Sequence, residues 1–499
     1  MTQTASVPRS PPRLGFGTKT LYGVGSVAFG VSSLGLSSSV LQPYLNRVIG
    51  LPALWVGTAI MLTLMLDALI DPMIGHFSDK LRTRWGRRHP LMYLSVPLVA
   101  VACFAFWNTP PEWGPARAGP TLILLLVLMR LAVSFYEVPS QALAPELAPD
   151  YNDRTGLFSY RFFFGVVGGL GMNVLLYRVF LSPEHGGILS RSGYGLYGLT
   201  AGLVMASTIF LSSIGTHRHI KTLIQPPVRK VPTAQVVREV WGTITNPSLI
   251  VVMLSGLCSG VSMGLSGALS QYFYVELWGM KAAGVSLIGL AGVAASLFGV
   301  ALAAPASRLL GKKRAMLTLF TVSVVTTALP QGLRLLGLAP ANGSPWIMPF
   351  LVGDFFIATT LAITGFIIIS SMIADVVEDA AVKTGVRSEG LLFAANGLLN
   401  KFTSGIGVFL SGVLLTVVAF PSHAAPGTVS PEIMRHLSLL YLPVTAGMSG
   451  LSILVLVFYK IDRETHEKNL ATLAQAAALA ELGEELEGRP AVAGPGGLA

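Results

Sequence analysis

Two carboxylates stand one helical turn apart in an otherwise apolar stretch of the sequence. Asp67 and Asp71 are four residues apart within residues 54–77, and in an α-helix that spacing puts both side chains on one face. Two carboxylates this close in a low-dielectric setting cannot both stay ionised unless a shared proton or a metal ion neutralises them. The pair therefore predicts a site for H⁺ or Na⁺. The alternative is that Asp71, which precedes Pro72, only caps its helix.

Further ionisable side chains interrupt other apolar stretches. Arg130 and Glu137 are seven residues apart and so share a helix face, while Lys401 lies in a neutral run that contains Asn396. A lysine in such a run must pair with a carboxylate or lose its proton. We therefore expect Lys401 to meet the acidic residues in a polar pocket. A structural ion pair is the alternative for Arg130 and Glu137, and Asp354 is a further candidate for the pocket.

Several tyrosines lie beside these charges or in facing segments. Their rings could stack on a sugar, and their hydroxyls could bond to it, although packing in the core or at an interface is the commoner role of such residues. The tyrosines concerned are Tyr136, Tyr160, Tyr272 and Tyr274.

The composition places these side chains in a membrane. Hydrophobic residues make up 52% of the chain and charged residues only 12%, about half of the charge that a soluble protein carries. The net charge of +10 arises in short loops between apolar runs, which does not favour a nucleic-acid partner. The sequence has no metal-ligand spacing, no GxSxG motif and no phosphate-binding loop, so we expect no enzyme activity, no cofactor and no use of ATP.

About twenty mainly apolar residues are needed to cross a bilayer, and the sequence holds twelve such runs. Six precede a basic, proline-containing break and six follow it. We therefore predict an all-α membrane protein of twelve helices in two six-helix bundles. The predicted spans are residues 21–44, 54–77, 91–107, 121–143, 155–181, 194–214, 249–277, 285–302, 315–336, 347–372, 391–418 and 437–459.

Most lysines and arginines fall in one set of connecting segments, and this bias predicts that both termini are cytoplasmic. Tight basic loops follow the second and the eighth span, which indicates a duplicated architecture. The predicted units are an N-terminal segment (1–19), a first bundle (20–215), a basic cytoplasmic linker (216–246), a second bundle (247–460) and a cytoplasmic tail (461–499).

Three blocks of the chain, residues 67–90, 136–161 and 372–401, resemble the glycoside–pentoside–hexuronide:cation symporters of the major facilitator superfamily, the group of melibiose permease. The resemblance implies the major facilitator fold, a functional monomer and a small polar solute, typically a glycoside. It implies a cation site formed by Asp67, Asp71, Glu137 and Ser134. Its implied solute site is formed by Glu137, Lys401, Arg130, Gln141, Asn396, Tyr136 and Arg161. Its implied cytoplasmic gate is formed by Asp79, Arg87, Arg88, Asp375 and Glu378.

Three residues depart from the pattern of melibiose permease. Gly30 stands where that transporter has an aspartate that grips a galactosyl group, and Gln141 replaces a tryptophan. Both changes argue against a galactoside as the solute. Ile70 replaces an asparagine that is a Na⁺ ligand there, so H⁺ is favoured over Na⁺ at Asp67 and Asp71.

The sequence therefore predicts a secondary transporter of the inner cell membrane that carries a sugar, glycoside or uronide together with H⁺ or Na⁺ by alternating access. Two alternatives stay open. One is a uniporter or a lysophospholipid or other amphiphile transporter on the same fold. The other is a membrane receptor that transports nothing.

Overall fold

The computed structural model describes residues 14–148, 151–220, 247–384 and 389–459, with the single positions 472 and 475. The side chains of Glu378 and Asn396, which the sequence assigns to the gate and to the solute site, lie outside the described residues. The same holds for the predicted linker from residue 221 to 246, and for most of the predicted tail.

The described chain is helical nearly throughout, and three short π-helical turns, Tyr44–Val48, Leu175–Phe180 and Phe273–Leu277, extend α3, α7 and α9. In chain order, α1 to α14 are Phe16–Val24, Ser26–Gly35, Ser38–Pro43, Ala53–Lys80, His89–Trp107, Pro115–Leu147, Tyr151–Val174, Arg191–His217, Pro247–Tyr272, Ala282–Leu310, Lys312–Leu335, Ile347–Thr384, Glu389–Val417 and Pro431–Leu456.

Within the described ranges, 11 helices are long and apolar enough to cross a membrane. A further span forms if α1 and α2 are joined with α3 and its π-helical turn across a bend of 46°. This total of up to 12 confirms the twelve-helix prediction. Large apolar side chains such as Phe163, Val325 and Leu454 are exposed on the outer faces of their helices, as expected where lipid replaces water.

Several helices run beyond the spans that hydropathy predicts. For α6, hydropathy predicts a span at residues 121–143, but the helix covers Pro115–Leu147. Likewise α12 continues from the predicted end at residue 372 to Thr384. Hydropathy detects only the part of a helix that lies in the hydrocarbon region, whereas backbone hydrogen bonding carries the helix on into the polar ends.

The two halves, α1–α8 and α9–α14, meet along three helix pairs: α4 with α13, α3 with α9, and α7 with α10. Within the second half, small residues bring α9 and α13 close together. A Cβ atom on Gly264 would lie 2.1 Å from the carbonyl oxygen of Ser404, so only glycine fits at that crossing. The pairing of α4 with α13 is the feature that places Asp67 and Asp71 opposite Lys401.

Candidate functional site

A bifurcated ion pair links the two halves at the centre of the molecule. The Lys401 ammonium on α13 donates to Asp67 Oδ2 at 2.8 Å and to Asp71 Oδ2 at 2.5 Å, both on α4. The two aspartates therefore share one face of their helix, as their spacing predicts. Side-chain exposure is 12% for Asp67, 28% for Asp71 and 34% for Lys401, so the group is partly withdrawn from solvent.

Two side chains of α6 also contact Asp67. Ser134 Oγ donates to Asp67 Oδ1 at 3.3 Å, and Arg130 Nη1 lies 3.7 Å from Asp67 Oδ2. The Arg130 guanidinium also donates to the Leu36 carbonyl oxygen at 3.5 Å. With Lys401 and Arg130 both cationic, the charges of the two aspartates are balanced. We call these five side chains, Asp67, Asp71, Arg130, Ser134 and Lys401, the central cluster.

The central cluster differs from the prediction in two respects. Glu137, which the resemblance assigns to the cation site, pairs with Arg161 and not with the central cluster. Arg130, which the sequence assigns to the solute, contacts Asp67 instead. Asp71 Oδ1 and Arg130 Nε are buried and form no hydrogen bond with any described residue, so the cluster retains hydrogen-bonding capacity that a proton, an ion or a solute can use.

A second group of polar side chains lies entirely within the first half. Arg161 on α7 donates to Glu137 Oε1 at 2.6 Å, and Gln141 Nε2 donates to the same oxygen at 2.8 Å. Arg161 also donates to Ser140 Oγ at 2.6 Å and lies over the ring of Tyr22, with its Cζ 5.6 Å from the ring centroid. We call Tyr22, Glu137, Ser140, Gln141 and Arg161 the N-half cluster.

The N-half cluster brings together three residues that the sequence assigns to the solute site. Glu137 and Gln141 are one turn apart on α6, and Arg161 reaches Glu137 from α7. Glu137 Oε2 is buried without a hydrogen-bond partner among the described residues. One acceptor oxygen of the cluster is therefore free to accept from a hydroxyl group.

Tyr136 does not belong to either cluster, which corrects its prediction as a solute-binding residue. Its side chain is 1% exposed, and its hydroxyl donates to Ser212 Oγ at 2.9 Å in the core of the first half. Adjacent residues of an α-helix point about 100° apart, so Tyr136 turns away from the face that carries Glu137. Of the other tyrosines, Tyr272 donates to Asn46 Oδ1 at 2.9 Å and Tyr160 packs edge-on against Phe16.

Four of the predicted gate residues, Asp79, Arg87, Arg88 and Asp375, form ion pairs inside their own halves. Arg88 binds Asp79 at 2.6 Å and Glu146 at 3.0 Å, and Arg87 binds Glu146 at 2.9 Å. In the second half, Lys312 binds Asp375 at 2.6 Å. Each of these ion pairs between described residues therefore joins groups of a single half.

At the opposite end, the halves are joined by an ion pair that the sequence analysis did not predict. Arg47, on the π-helical turn after α3, donates to Glu276 Oε1 at 2.6 Å, and Glu276 lies on the matching turn after α9. The side chains are 1% and 0% exposed. Arg47 also donates to the Ala424 carbonyl oxygen at 2.8 Å. This pair joins the halves away from the gate residues.

The same architecture is found in a known group of proteins. The chain matches the profile of the family described as MFS/sugar transport protein over residues 21–463. The chain belongs to that family. It is therefore a multi-pass membrane transporter and not an enzyme, and the resemblance inferred from its three sequence blocks is confirmed.

Individual relatives of this transporter are similar over nearly its whole length. It is 25% identical to an uncharacterized symporter of Synechocystis, over 92% of this chain and 96% of that protein. It is 24% identical to the isoprimeverose transporter of Lactiplantibacillus pentosus, over 89% of each. The inward-open xylose transporter of Escherichia coli shares the fold, with a TM-score of 0.58 and 15% identity over 91% of this chain and 99% of that chain.

Packing within the transporter accounts for one departure from melibiose permease. Gly30 on α2 is buried against α7, and a Cβ atom at this position would lie 1.9 Å from the carbonyl oxygen of Gly165. No side chain fits there, so an aspartate cannot stand at this position without parting the helices. The first span of this transporter therefore contributes no carboxylate at Gly30.

Proposed function

We propose that this transporter is a symporter that carries a sugar, glycoside or uronide together with a cation by alternating access. The observation that carries the proposal is the ion pair of Lys401 with Asp67 and Asp71, because it joins the second half to the first. A cation that neutralises the two aspartates competes with Lys401 for them. Ion binding and the relative position of the halves are then linked.

In the proposed cycle, H⁺ or Na⁺ binds to Asp67 and Asp71 and releases Lys401. The solute then binds between the halves, with Glu137 and Gln141 on one side, and the loaded carrier closes around it. Without a bound cation, movement of Lys401 away from Asp67 and Asp71 would leave their negative charges buried and unbalanced. The free-energy cost of that state disfavours closure of the empty carrier. We favour H⁺, because Ile70 occupies a place that holds a Na⁺ ligand in melibiose permease, and because buried Asp71 Oδ1 has no described partner.

We further propose that the carrier functions as a monomer in the inner cell membrane with both termini in the cytoplasm. The excess of lysine and arginine in the gate-side loops supports that orientation. The end closed by Arg47 and Glu276 would then be the outer one, so the structure would be an inward-facing state. Asp79, Arg87, Arg88 and Asp375 would exchange partners across the halves only when that inner end closes.

The proposal is tested by uptake into proteoliposomes under an imposed H⁺ or Na⁺ gradient, with a panel of labelled glycosides and uronates. The wild-type transporter should accumulate at least one of them against its gradient. Asp67→Asn should abolish accumulation but retain exchange of solute between the two sides, because exchange requires no net movement of the cation. Glu184→Gln, at an exposed position of the short 3₁₀ turn between α7 and α8, is the matched control.

Two results would contradict the proposal. If neither gradient drives accumulation of a solute that the protein demonstrably binds, symport is wrong. If Asp67→Asn slows uptake no more than Glu184→Gln does, the carrier is a uniporter on the same fold.

A further inference from the structure

Arg130 on α6 is a buried cation that is held by long contacts. The residue is 8% exposed. Its Nη1 lies 3.7 Å from Asp67 Oδ2, its Nη2 donates to the Leu36 carbonyl oxygen at 3.5 Å, and its Nε forms no hydrogen bond with any described residue. A guanidinium is always charged and carries several N–H donors, and a well-formed charge-assisted hydrogen bond is shorter than either of these contacts. Arg130 therefore has donors to spare and can approach Asp67 more closely with little movement.

Lys401 and Arg130 face the same oxygen atom of Asp67. Asp67 Oδ2 accepts from Lys401 Nζ at 2.8 Å, and Arg130 lies at the longer distance. Lys401 lies on α13 in the second half, whereas Arg130 and Asp67 lie on α6 and α4, which pack together in the first half. When the halves move apart, Lys401 leaves Asp67 while Arg130 stays beside it. A shift of about 1 Å then brings the guanidinium within hydrogen-bond distance, so Asp67 keeps a cationic partner.

Asp71 has no substitute partner of this kind. Among the described residues its ion pair is with Lys401 alone, and its Oδ1 is buried without a hydrogen bond. Release of Lys401 therefore leaves one uncompensated carboxylate in the central cluster and not two. A single monovalent cation at Asp71 is enough to balance the charge of the cluster at that stage of the cycle.

The contacts of Asp67 disfavour a sodium ion at the aspartate pair. Hard cations are held by several oxygen ligands at once, so Na⁺ would have to bridge Asp67 Oδ2 and Asp71 Oδ2, the two oxygens that accept from Lys401. Arg130 lies 3.7 Å from the first of these oxygens, and two cations at such a separation repel each other strongly away from water. Ile70, on the same helix, offers no side-chain oxygen as a further ligand.

A proton has the same charge as Na⁺ but needs only one oxygen atom. Asp71 Oδ1 is the carboxylate oxygen of the pair that is buried without a described partner. Binding there places no cation on Asp67, which Arg130 already compensates. The arrangement of the central cluster therefore accepts H⁺ where it rejects a metal ion.

We propose that Arg130 determines the coupling ion of this carrier. It replaces Lys401 as the partner of Asp67 when the halves move, and its fixed charge excludes Na⁺ from the two aspartates, so that one H⁺ is carried for each solute. The inference rests on the proposed function and narrows its cation to H⁺. It gives Arg130, which the sequence assigns to the solute, a positioning role toward Asp67.

The first test measures cation binding without any solute. Radioactive Na⁺ is titrated into the purified full-length transporter, with choline chloride to hold the ionic strength constant. The wild-type protein should show no saturable Na⁺ binding. Arg130→Gln keeps hydrogen-bonding capacity but removes the charge, so it should bind Na⁺ roughly tenfold to a hundredfold more tightly than the wild-type protein does. Arg130→Lys keeps the charge and should restore the exclusion. Arg178→Gln, at an exposed arginine outside both clusters, is the matched control and should behave as the wild-type protein.

The second test measures coupling in proteoliposomes with the glycoside and uronate panel. A H⁺ gradient should drive accumulation by the wild-type carrier, and a Na⁺ gradient at constant pH should not. In Arg130→Gln, H⁺-driven accumulation should fall roughly tenfold, because Asp67 loses its replacement partner, and a Na⁺ gradient should begin to drive uptake. Arg130→Lys should retain H⁺ coupling without a response to Na⁺.

Saturable Na⁺ binding by the wild-type protein, or Na⁺-driven accumulation by it, would overturn the inference. So would a folded Arg130→Gln variant, with an unchanged melting temperature, that still binds no Na⁺. If Arg130→Gln does not fold, Na⁺ binding by the wild-type protein and by Arg130→Lys decides the question, since both retain the charge and both must exclude Na⁺. Absence of accumulation under either gradient removes the symport proposal, whereas the Na⁺ titrations judge Arg130 separately.

Discussion

The central cluster and the N-half cluster contain the same kinds of side chain but join different parts of the molecule. In the first, Lys401 of the second half binds two aspartates of the first half. In the second, Arg161 binds Glu137 within the first half. Movement of one half against the other must disturb the central cluster, whereas the N-half cluster can travel as a unit. Of the two clusters, therefore, only the central cluster can couple ion binding to the relative position of the two halves.

The two clusters also differ in whether their ion pairs must be broken during the transport cycle. An ion pair that must be broken in each cycle needs something to replace the lost partner, because an unpaired buried charge costs several kcal/mol. A coupling cation does that for Asp67 and Asp71. The Glu137–Arg161 pair needs no replacement, so it can serve as a fixed surface against which a solute binds.

Lys401→Met should have the largest effect. It leaves Asp67 and Asp71 facing each other without their shared ammonium, so both carboxylates cannot remain ionised in the closed carrier. We expect gradient-driven uptake to fall by about two orders of magnitude. Initial rates in proteoliposomes measure this, with Lys281→Met as the control, since Lys281 is an exposed loop lysine. Equal rates for the two variants would contradict a coupling role for the central cluster.

Glu137→Gln should have an intermediate effect of a different kind. The change removes the charge that Arg161 pairs with but keeps a group that can hydrogen-bond, so half-saturation should require roughly tenfold more solute. Accumulation at saturating solute should still follow the imposed gradient. Concentration-dependent uptake separates the two quantities. A loss of accumulation with unchanged KM would mean that Glu137 acts in coupling, and the contrast between the clusters would then be wrong.

Gly30→Ala should have the smallest effect and should act on the N-half cluster alone. The added methyl group would meet the Gly165 carbonyl oxygen, which pushes α7 away from α2 and moves Arg161, one turn earlier on α7. Overpacking of this kind costs about 1–3 kcal/mol, so thermal stability should fall and KM should rise while coupling persists. Gly171→Ala, on α7 and with open space around it, is the control. Equal melting temperatures for the two variants would show that this helix contact is not tight.

The central cluster could be anticipated from the sequence because ionisable residues inside apolar spans are costly and must find partners. The spacing of Asp67 and Asp71 predicts their shared face. A lysine in an apolar span must meet a carboxylate, although the sequence does not distinguish the two aspartates from Glu137 as its partner. The twelve spans were predictable for the same reason, since a bilayer demands long apolar runs.

Other contacts in the structure could not be predicted from ionisable residues inside apolar spans. Arg47 and Glu276 lie near the ends of spans, where charges are ordinary, so nothing in the sequence indicated that they would pair and become buried. The partner of Arg87 and Arg88 was also missed, because Glu146 sits beyond the predicted end of its span. The orientation of Tyr136 could have been foreseen from helical geometry, since a residue next to Glu137 cannot share its face. The cavity that Asp354 lines is formed by helices of both halves, and no local pattern encodes how they pack.

The pair of Arg47 and Glu276 has a consequence for how the carrier responds to its surroundings. Both side chains are dry in the closed end, and both must be hydrated when that end opens. Opening therefore draws water into the protein, and its equilibrium depends on water activity as well as on ions and solute. Osmolytes that are excluded from the opening crevice favour the compact arrangement, so they should hold this end shut and slow the return of the carrier.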